Sequence, residues 1–133
     1  MIVVDTSAII AILFGEPEAS ALIEKLVVAE RTLIGAPTLF ELRMVMGGRQ
    51  QQEGIEDADS LLTQAGIETV SWTEQMADIA TDAFLRYGKG QGHPAQLNFG
   101  DCMAYAVAKA HHAPLLYVGE DFALTDIPSA LTS

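Results

Sequence analysis

Met1-Ile2-Val3-Val4-Asp5-Thr6-Ser7-Ala8 opens the chain, and in it four apolar residues run directly into an acid. A short apolar run rich in β-branched residues, without polar alternation, is typical of a strand buried on both faces of a parallel sheet. Ligands bind such sheets beyond the carboxyl ends of the strands. We therefore predict that Asp5 stands at the binding edge of a parallel sheet, where Thr6 begins a short helix.

The rest of the chain alternates between strand and helix patterns. Gly47-Gly48 is expected to end the helix that starts at Pro37, with residues 49–54 connecting it to a helix over residues 55–64. Strands separated by helices require βαβ crossovers. The predicted fold is α/β: a single three-layer α/β/α domain over residues 1–133 with a central parallel sheet of four to five strands. The further strands are predicted over residues 32–36, 67–71 and 113–118.

Length and composition limit the class of protein. The chain has 133 residues, half of them hydrophobic, which is enough for one buried core and too few for two ordinary domains. No apolar run approaches the roughly 18 residues that a membrane-spanning helix needs, so we expect a soluble, cytoplasmic protein without a membrane partner. The one cysteine, Cys102, excludes an internal disulfide and a Cys-x-x-Cys redox motif.

The formal net charge is −11, whereas proteins that bind nucleic acid electrostatically usually carry a basic face. The charge therefore argues against general nucleic-acid binding. A carboxylate cluster that binds divalent cations, however, is negative by itself, and each ion brings two positive charges to a phosphate. The composition is thus compatible with metal-dependent phosphodiester chemistry, and it also suits a basic protein partner.

Four acids lie where such a cluster would form. Asp5 follows the first predicted strand, and Asp121 follows the last one after Val118-Gly119-Glu120. Asp101 lies in the first turn of a predicted helix, and Glu41 lies in the first half of another. If both helices begin at the same edge of the sheet, the four carboxylates converge. Hard oxygen ligands of this number hold Mg²⁺ or Mn²⁺ with several waters retained.

Each of these acids also has a structural explanation. Asp5 would cap the first helix, while Thr38-x-x-Glu41 and Asn98-x-x-Asp101 both fit a capping box. Asp121 is also a residue type common in turns. Spacing alone leaves the structural and the catalytic explanations open.

Four blocks of the sequence carry a more specific pattern. They read Ile2-Val-Val-Asp5-Thr6-Ser7-Ala8, Pro37-Thr-Leu-Phe-Glu41-Leu42, Leu97-Asn-Phe-Gly-Asp101-Cys-Met-Ala-Tyr-Ala106 and Leu115-Leu-Tyr-Val-Gly-Glu-Asp121-Phe-Ala-Leu-Thr-Asp-Ile127. In this order and at these spacings the blocks resemble the PIN domains of VapC-type proteins nearly from end to end. The third block is the most specific match, because it is a long string in fixed order.

The resemblance implies a metal-dependent endoribonuclease, the toxin of a type II toxin–antitoxin system, that hydrolyses RNA phosphodiester bonds with Mg²⁺ or Mn²⁺. It assigns the catalytic, metal-binding acids to Asp5, Glu41, Asp101 and Asp121. It also implies a homodimer and a small antitoxin protein that holds the nuclease inactive. The residues to which it assigns supporting roles are Thr6, Ser7, Thr125 and Asp126, and the one visible departure is Glu120, where the family often has Asn.

Basic residues are few, with seven Lys and Arg in all. Arg86, Lys89 and His93 lie around the Gly-rich segment 88–98, where they would contact RNA phosphates. For Arg86 and Lys89 a solvated helix end, whose cations suit the helix dipole, is an equally good explanation. RNA contacts at these residues are therefore a hypothesis.

Two classes of function remain after these comparisons of pattern. The Gly88-x-Gly90-x-Gly92 run follows a predicted helix rather than a strand, so it is a poor dinucleotide-binding fingerprint, and the sequence has no Walker-type phosphate loop. The first class is the metal-dependent endoribonuclease. The second is a non-catalytic interaction domain whose acidic pocket binds a basic partner or a structural cation.

Overall fold

The sheet and helices are taken from a computed structural model that describes residues 1–132. The strands are β1 (Ile2–Val4), β2 (Thr32–Gly35), β3 (Ile67–Val70) and β4 (Leu115–Leu116). The helices are α1 (Thr6–Leu13), α2 (Ala19–Val28), α3 (Ala36–Gln64), α4 (Glu74–Tyr87) and α5 (Phe99–Ala110), and a short 3-10 helix spans Phe122–Leu124.

All strand pairs of the sheet are parallel, and the strand order is β3-β2-β1-β4. Ile2 pairs with Thr32 of β2, and Val3 pairs with Leu115 of β4, so β1 lies between these two neighbours. The predicted central parallel sheet is confirmed, and within residues 1–132 it has four strands. The last strand is shorter than predicted, because only Leu115–Leu116 of the apolar run 113–118 pair with β1.

Side chains that alternate along the strands point to opposite faces of the sheet, as the period of two requires. One face packs on α4 and α5, and the other packs on α1, α2 and α3. This arrangement confirms the predicted three layers. The strand residues of the first core are Val3, Leu33 and Leu115, and those of the second are Ile2, Val4, Ile34 and Leu116.

The region of α3 confirms one prediction and refines another. Gly47-Gly48 does not end the first helix, but the chain breaks at Gln50 and Gln51, whose backbone is non-helical, so the predicted connection within residues 49–54 and the separate helix after it are confirmed. The second helix folds back on the first, as the hydrogen bonds between Arg43 and Asp59 show. Single glycines weaken a helix by about 1 kcal/mol without forbidding it, and buried residues on both sides of the kink hold α3 against the sheet. Gly54 lies against the Met46 carbonyl, where any β-carbon would collide.

No helix within residues 1–132 combines the length and the apolar character that crossing a membrane requires.

Candidate active site

Asp5 stands at the carboxyl end of β1, as predicted, and is 5% exposed. Its Oδ2 accepts hydrogen bonds from the backbone nitrogen of Ser7 at 3.1 Å and from the Ser7 hydroxyl at 2.6 Å. Asp5 is therefore also the N-cap of α1. The structural and the catalytic explanations do not compete here, because capping fixes the carboxylate at the binding edge of the sheet.

Ser7 ties the end of β1 to the end of β4. Its hydroxyl oxygen accepts a hydrogen bond from the backbone nitrogen of Val118 at 3.0 Å while it donates to Asp5. The backbone nitrogen of Asp5 in turn donates to the Leu116 carbonyl at 2.9 Å. These bonds place the segment that leads to Asp121 beside Asp5.

Thr6 ties the start of α1 to α3. Its buried hydroxyl donates to Oε1 of Glu41 at 2.7 Å. Glu41 is thus held by another helix rather than by a capping box, since α3 begins after Gly35 and has no side-chain cap. The structural explanation offered for Glu41 in the sequence is therefore wrong.

Gly100 allows α5 to approach Glu41. A β-carbon added at Gly100 would collide with the Glu41 carboxylate, whose two oxygens are its nearest neighbours. The amino end of α5 therefore lies against the first turns of α3. A glycine inside a predicted helix was the only sequence signal of this contact, and it indicates a close approach without naming the partner.

Asp101 forms the capping box that its spacing with Asn98 suggested. The Asn98 side chain accepts from the Asp101 backbone nitrogen at 2.9 Å, and Oδ2 of Asp101 accepts from the Asn98 backbone nitrogen at 3.1 Å. The half-buried carboxylate nevertheless lies within the electrostatic field of the other acids.

The pKa values of two acids record this proximity. Burial raises the pKa of Asp5 to about 6, and the charge of Glu41 adds to the effect, whereas the hydrogen bonds from Ser7 oppose it. Burial also raises the pKa of Asp101 to about 7, and the negative charges of Asp5, Asp121 and Glu41 raise it further. The structure thus brings the four predicted acids to one edge of the sheet, with Asp121 on the exposed side.

The four carboxylates are not arranged as a complete metal-binding site. Among residues 1–132, no three His, Cys, Asp or Glu side chains are arranged closely enough to hold an ion. Like charges repel, and three of the acids instead accept hydrogen bonds from Ser7, Thr6 and Asn98. The donor set itself fits a hard divalent cation, because every donor is a carboxylate oxygen.

Thr125 and Asp126 lie on the segment after Asp121 and brace it. The Thr125 hydroxyl donates to the Phe122 carbonyl at 2.8 Å. Asp126 accepts hydrogen bonds from the Tyr105 hydroxyl at 2.5 Å and from Nζ of Lys109 at 2.8 Å. Both residues thus act on the backbone that carries Asp121, and the part played by Tyr105 and Lys109 of α5 had no signal in the sequence.

The three residues with predicted RNA contacts lie at the carboxyl end of α4 and on the segment that follows it. Arg86 is exposed in a groove of about 360 Å³ between α4 and α5, which Lys109 also lines. Lys89 is exposed at the start of the Gly-rich segment. His93 packs edge-on against the Tyr87 ring, 5.0 Å between centroids, and its Nδ1 accepts from the Ala95 nitrogen at 3.0 Å.

Residues 2–128 match the PIN domain family. The chain is 42% identical over 130 residues to ribonuclease VapC42 of Mycobacterium tuberculosis, which covers 98% of this chain and 99% of that protein. Its fold is similar to that of VapC20 from the same species, described as a toxin that cleaves the sarcin-ricin loop, with a TM-score of 0.74, 16% identity and 96% of each chain covered. It is also similar to VapBC2 of Rickettsia felis, solved bound to a DNA fragment from its promoter, with a TM-score of 0.76, 16% identity, and 97% of this chain and 96% of that chain covered.

Proposed function

This chain belongs to the PIN domain family and to the VapC ribonucleases within it, and from that premise we propose that Asp5, Glu41, Asp101 and Asp121 are its metal-binding, catalytic acids. The observation that carries the proposal is the position of Glu41, which binds Thr6 next to Asp5 and lies against Gly100 next to Asp101. The pKa of Asp101 agrees with this convergence, since burial raises it and the charges of Asp5, Asp121 and Glu41 raise it further. Carboxylates accumulate unfavourable charge in this way where a function requires it. We assign the activity as endoribonuclease cleavage of RNA with Mg²⁺ or Mn²⁺.

The residues around the acids set their geometry. Ser7 fixes the Asp5 carboxylate, and Thr6 orients the Glu41 carboxylate through its hydroxyl. Bound Mg²⁺ or Mn²⁺ would lower the pKa of a water molecule and offset the negative charge of the phosphodiester. Since burial raises the pKa of Asp101 to about 7, its carboxyl is partly protonated near neutral pH, and a bound cation would favour the ionised form.

We propose that the bound RNA runs from the four acids past exposed basic residues. Arg86 and Lys89 are exposed near the carboxyl end of α4, and Lys89 and His93 belong to the segment that precedes the Asp101 helix. Phosphate contacts position a nucleic acid without reading its sequence. Replacing Arg86 or Lys89 is therefore expected to weaken RNA binding about equally for different sequences.

The proposed regulation is neutralisation by a small antitoxin protein. The strong negative charge of the chain favours a partner that places Arg or Lys among the acids. The Rickettsia felis structure of the same fold is itself a VapBC complex. We further propose that residues 1–133 function in the cytoplasm as one domain, which pairs with a second copy of itself.

An apolar surface between α4 and α5 supports the proposed homodimer. It borders a groove of about 490 Å³, and within it Phe84 and Phe99 are 42% and 82% exposed. Exposed aromatic patches of this kind mark protein interfaces more often than free surface. The other large side chains that line the groove are Pro37, Trp72 and Met103.

Cleavage of a structured RNA by the purified, partner-free protein tests the proposed activity. We expect cleavage with Mg²⁺ or Mn²⁺, none with excess chelator, and a loss of at least about tenfold in Asp5→Asn and Asp101→Asn, because each removes a charged ligand. Asp78→Asn is the matched control, since Asp78 is exposed on α4 and outside the acidic cluster.

The same experiment also distinguishes the ribonuclease from the second class of function, the non-catalytic interaction domain. If both folded site variants cleaved as the wild type does, the activity would belong to another site or to a contaminant. If the wild type bound cations or a basic partner without cleaving RNA, the chain would be a non-catalytic interaction domain.

A further inference from the structure

Asp126 connects the segment that follows Asp121 to helix α5, which carries Asp101, and both of these acids are proposed metal ligands. Its Oδ1 accepts from the Tyr105 hydroxyl at 2.5 Å, and its Oδ2 accepts from Nζ of Lys109 at 2.8 Å. Both donors lie on α5, and Nζ of Lys109 also lies 5.8 Å from the centre of the Tyr105 ring. The two carboxylate oxygens of Asp126 are thus engaged by neighbouring turns of one helix.

The Asp126 contact is rigid on the side of α5. Tyr105 is 4% exposed, and its ring packs against that of Tyr87 with the centroids 6.0 Å apart. Tyr105 lies one helical turn after Asp101, so the position of its hydroxyl is coupled to that of the Asp101 carboxylate.

The segment between Asp121 and Asp126 is fixed by its own contacts, so a shift of Asp126 would also move Asp121. The Phe122 ring is buried against Tyr117, 5.1 Å between centroids. Thr125 closes the turn from both sides, because its hydroxyl donates to the Phe122 carbonyl and accepts from the Ile127 nitrogen at 3.2 Å. The backbone therefore has little freedom between these two acids. Phe122 and Ile127 pack in the same core as α5, and Asp126 adds the polar attachment to Tyr105 and Lys109.

We propose that Asp126 is a positioning residue, which holds the Asp121 carboxylate beside Asp101 by binding Tyr105 and Lys109. The inference rests on the proposed function, because it assigns to Asp126 the alignment of two of the proposed metal ligands. Residues that orient metal ligands commonly matter nearly as much as the ligands themselves.

Stability alone is a poor explanation of the contact. The side chains of Lys109 and Asp126 are 37% and 42% exposed, and ion pairs with this much exposure contribute little to folding. The geometry instead suits alignment, since two oxygens bound by two turns of a helix leave the carboxylate no free rotation.

Binding of Mn²⁺, measured by calorimetry on the full chain, tests the inference without relying on cleavage. We expect Asp126→Ala to weaken Mn²⁺ binding about tenfold and Tyr105→Phe to weaken it less, because Lys109 still holds Asp126 in the second variant. The double variant should bind Mn²⁺ no more weakly than Asp126→Ala, since both changes remove the same contact.

Glu68→Ala is the matched control. Glu68 forms an exposed ion pair with Arg31 at 3.0 Å, near the amino ends of β2 and β3 and so away from the acids. This variant should bind Mn²⁺ as the wild type does. Hydrogen exchange of the amides of residues 122–127 should be faster in Asp126→Ala and unchanged in Glu68→Ala.

Folded Asp126→Ala and Tyr105→Phe proteins that bind Mn²⁺ as tightly as the wild type would overturn the inference. If Asp126→Ala does not fold, Mn²⁺ binding by Asp126→Asn tests the inference in its place. The amide oxygen of this variant can still accept from Tyr105, but the charge that Lys109 binds is gone. A wild-type protein that binds no Mn²⁺ would overturn the proposed function itself, which is a distinguishable result.

Discussion

The carboxylate of Glu41 lies against the α-carbon of Gly100, in the space that the side chain of any other residue would occupy. The two residues belong to α3 and α5, which pack on opposite faces of the sheet for most of their length. Their contact is possible only at the carboxyl edge, where the two helices begin. It makes a residue without a side chain part of the geometry of the acids.

Gly100→Ala is expected to separate activity from stability. The new methyl group displaces the Glu41 carboxylate from Thr6, so RNA cleavage should fall at least about tenfold. The fold should persist, because alanine favours a helix over glycine by up to about 1 kcal/mol and the displaced atoms end a flexible side chain. Gly48→Ala is the control, since a β-carbon there meets open space. Equal cleavage by the two variants would contradict the role of this contact.

The metal-free protein is expected to lose stability as the pH rises. Burial raises the pKa values of Asp5 and Asp101 to about 6 and about 7 in the folded chain, above the ordinary value of 3.8, so the folded state holds protons that the unfolded state releases. Their contribution is fully present below about pH 4 and is lost as the pH rises through about 7. Thermal unfolding in chelator should therefore occur at a lower temperature at pH 8 than at pH 5.

The Asp101→Asn variant isolates the part of this dependence that Asp101 contributes. Its amide oxygen can still accept from the Asn98 nitrogen, so the helix cap remains while the repelling charge is removed. At pH 8 the metal-free variant should unfold at a higher temperature than the wild type, by roughly 4 °C for each kcal/mol recovered. A wild-type midpoint that rises steadily from pH 5 to pH 8 would contradict the assigned pKa shifts.

Ser7→Ala is expected to destabilise the chain by about 1–3 kcal/mol, because it leaves the Val118 nitrogen without its partner and removes a hydrogen bond from Asp5. Urea unfolding measures the loss. Ser60→Ala removes an exposed hydroxyl that accepts from Gln64 at 3.3 Å, and it should change stability by less than about 0.5 kcal/mol. Similar effects of the two substitutions would show that Ser7 does not tie β1 to β4.

Phe84→Glu is expected to convert the proposed dimer to a monomer, because it places a charge in the apolar surface beside Phe99. Sedimentation at several protein concentrations measures the change. Val28→Glu is the control, since Val28 is 73% exposed on α2, on the other face of the sheet. A dimer that survives Phe84→Glu and dissociates with Val28→Glu would move the interface to α2.

Much of the sheet and its acidic edge was predictable, because the signals are local. A short apolar strand that ends in Asp5 and a capped helix that begins beside Asp101 each need only a few neighbouring residues. The partners of the acids were not predictable in this way. Thr6 and Glu41 are 35 residues apart, and only the packed helices show that they form a hydrogen bond.

The interruption of α3 illustrates a second limit. Gly47-Gly48 is a strong breaking signal when the sequence is considered alone. In the folded chain the break is present but falls later, at Gln50 and Gln51, and Met46 and Ala58 on either side of it are buried in the same core. Likewise, whether the carboxylates close around an ion depends on the ion itself, which no residue pattern contains.

The kink at Gln50 and Gln51 divides the four acids evenly. Asp5 and Glu41 precede it, and Asp101 and Asp121 follow it, while Gln50 and Gln51 themselves are exposed. A chain cut there would yield two halves, neither of which holds all four of the proposed catalytic acids. Fused to two other proteins, the halves would regain nuclease activity only when those proteins meet, so this fold offers a natural place to build a split enzyme.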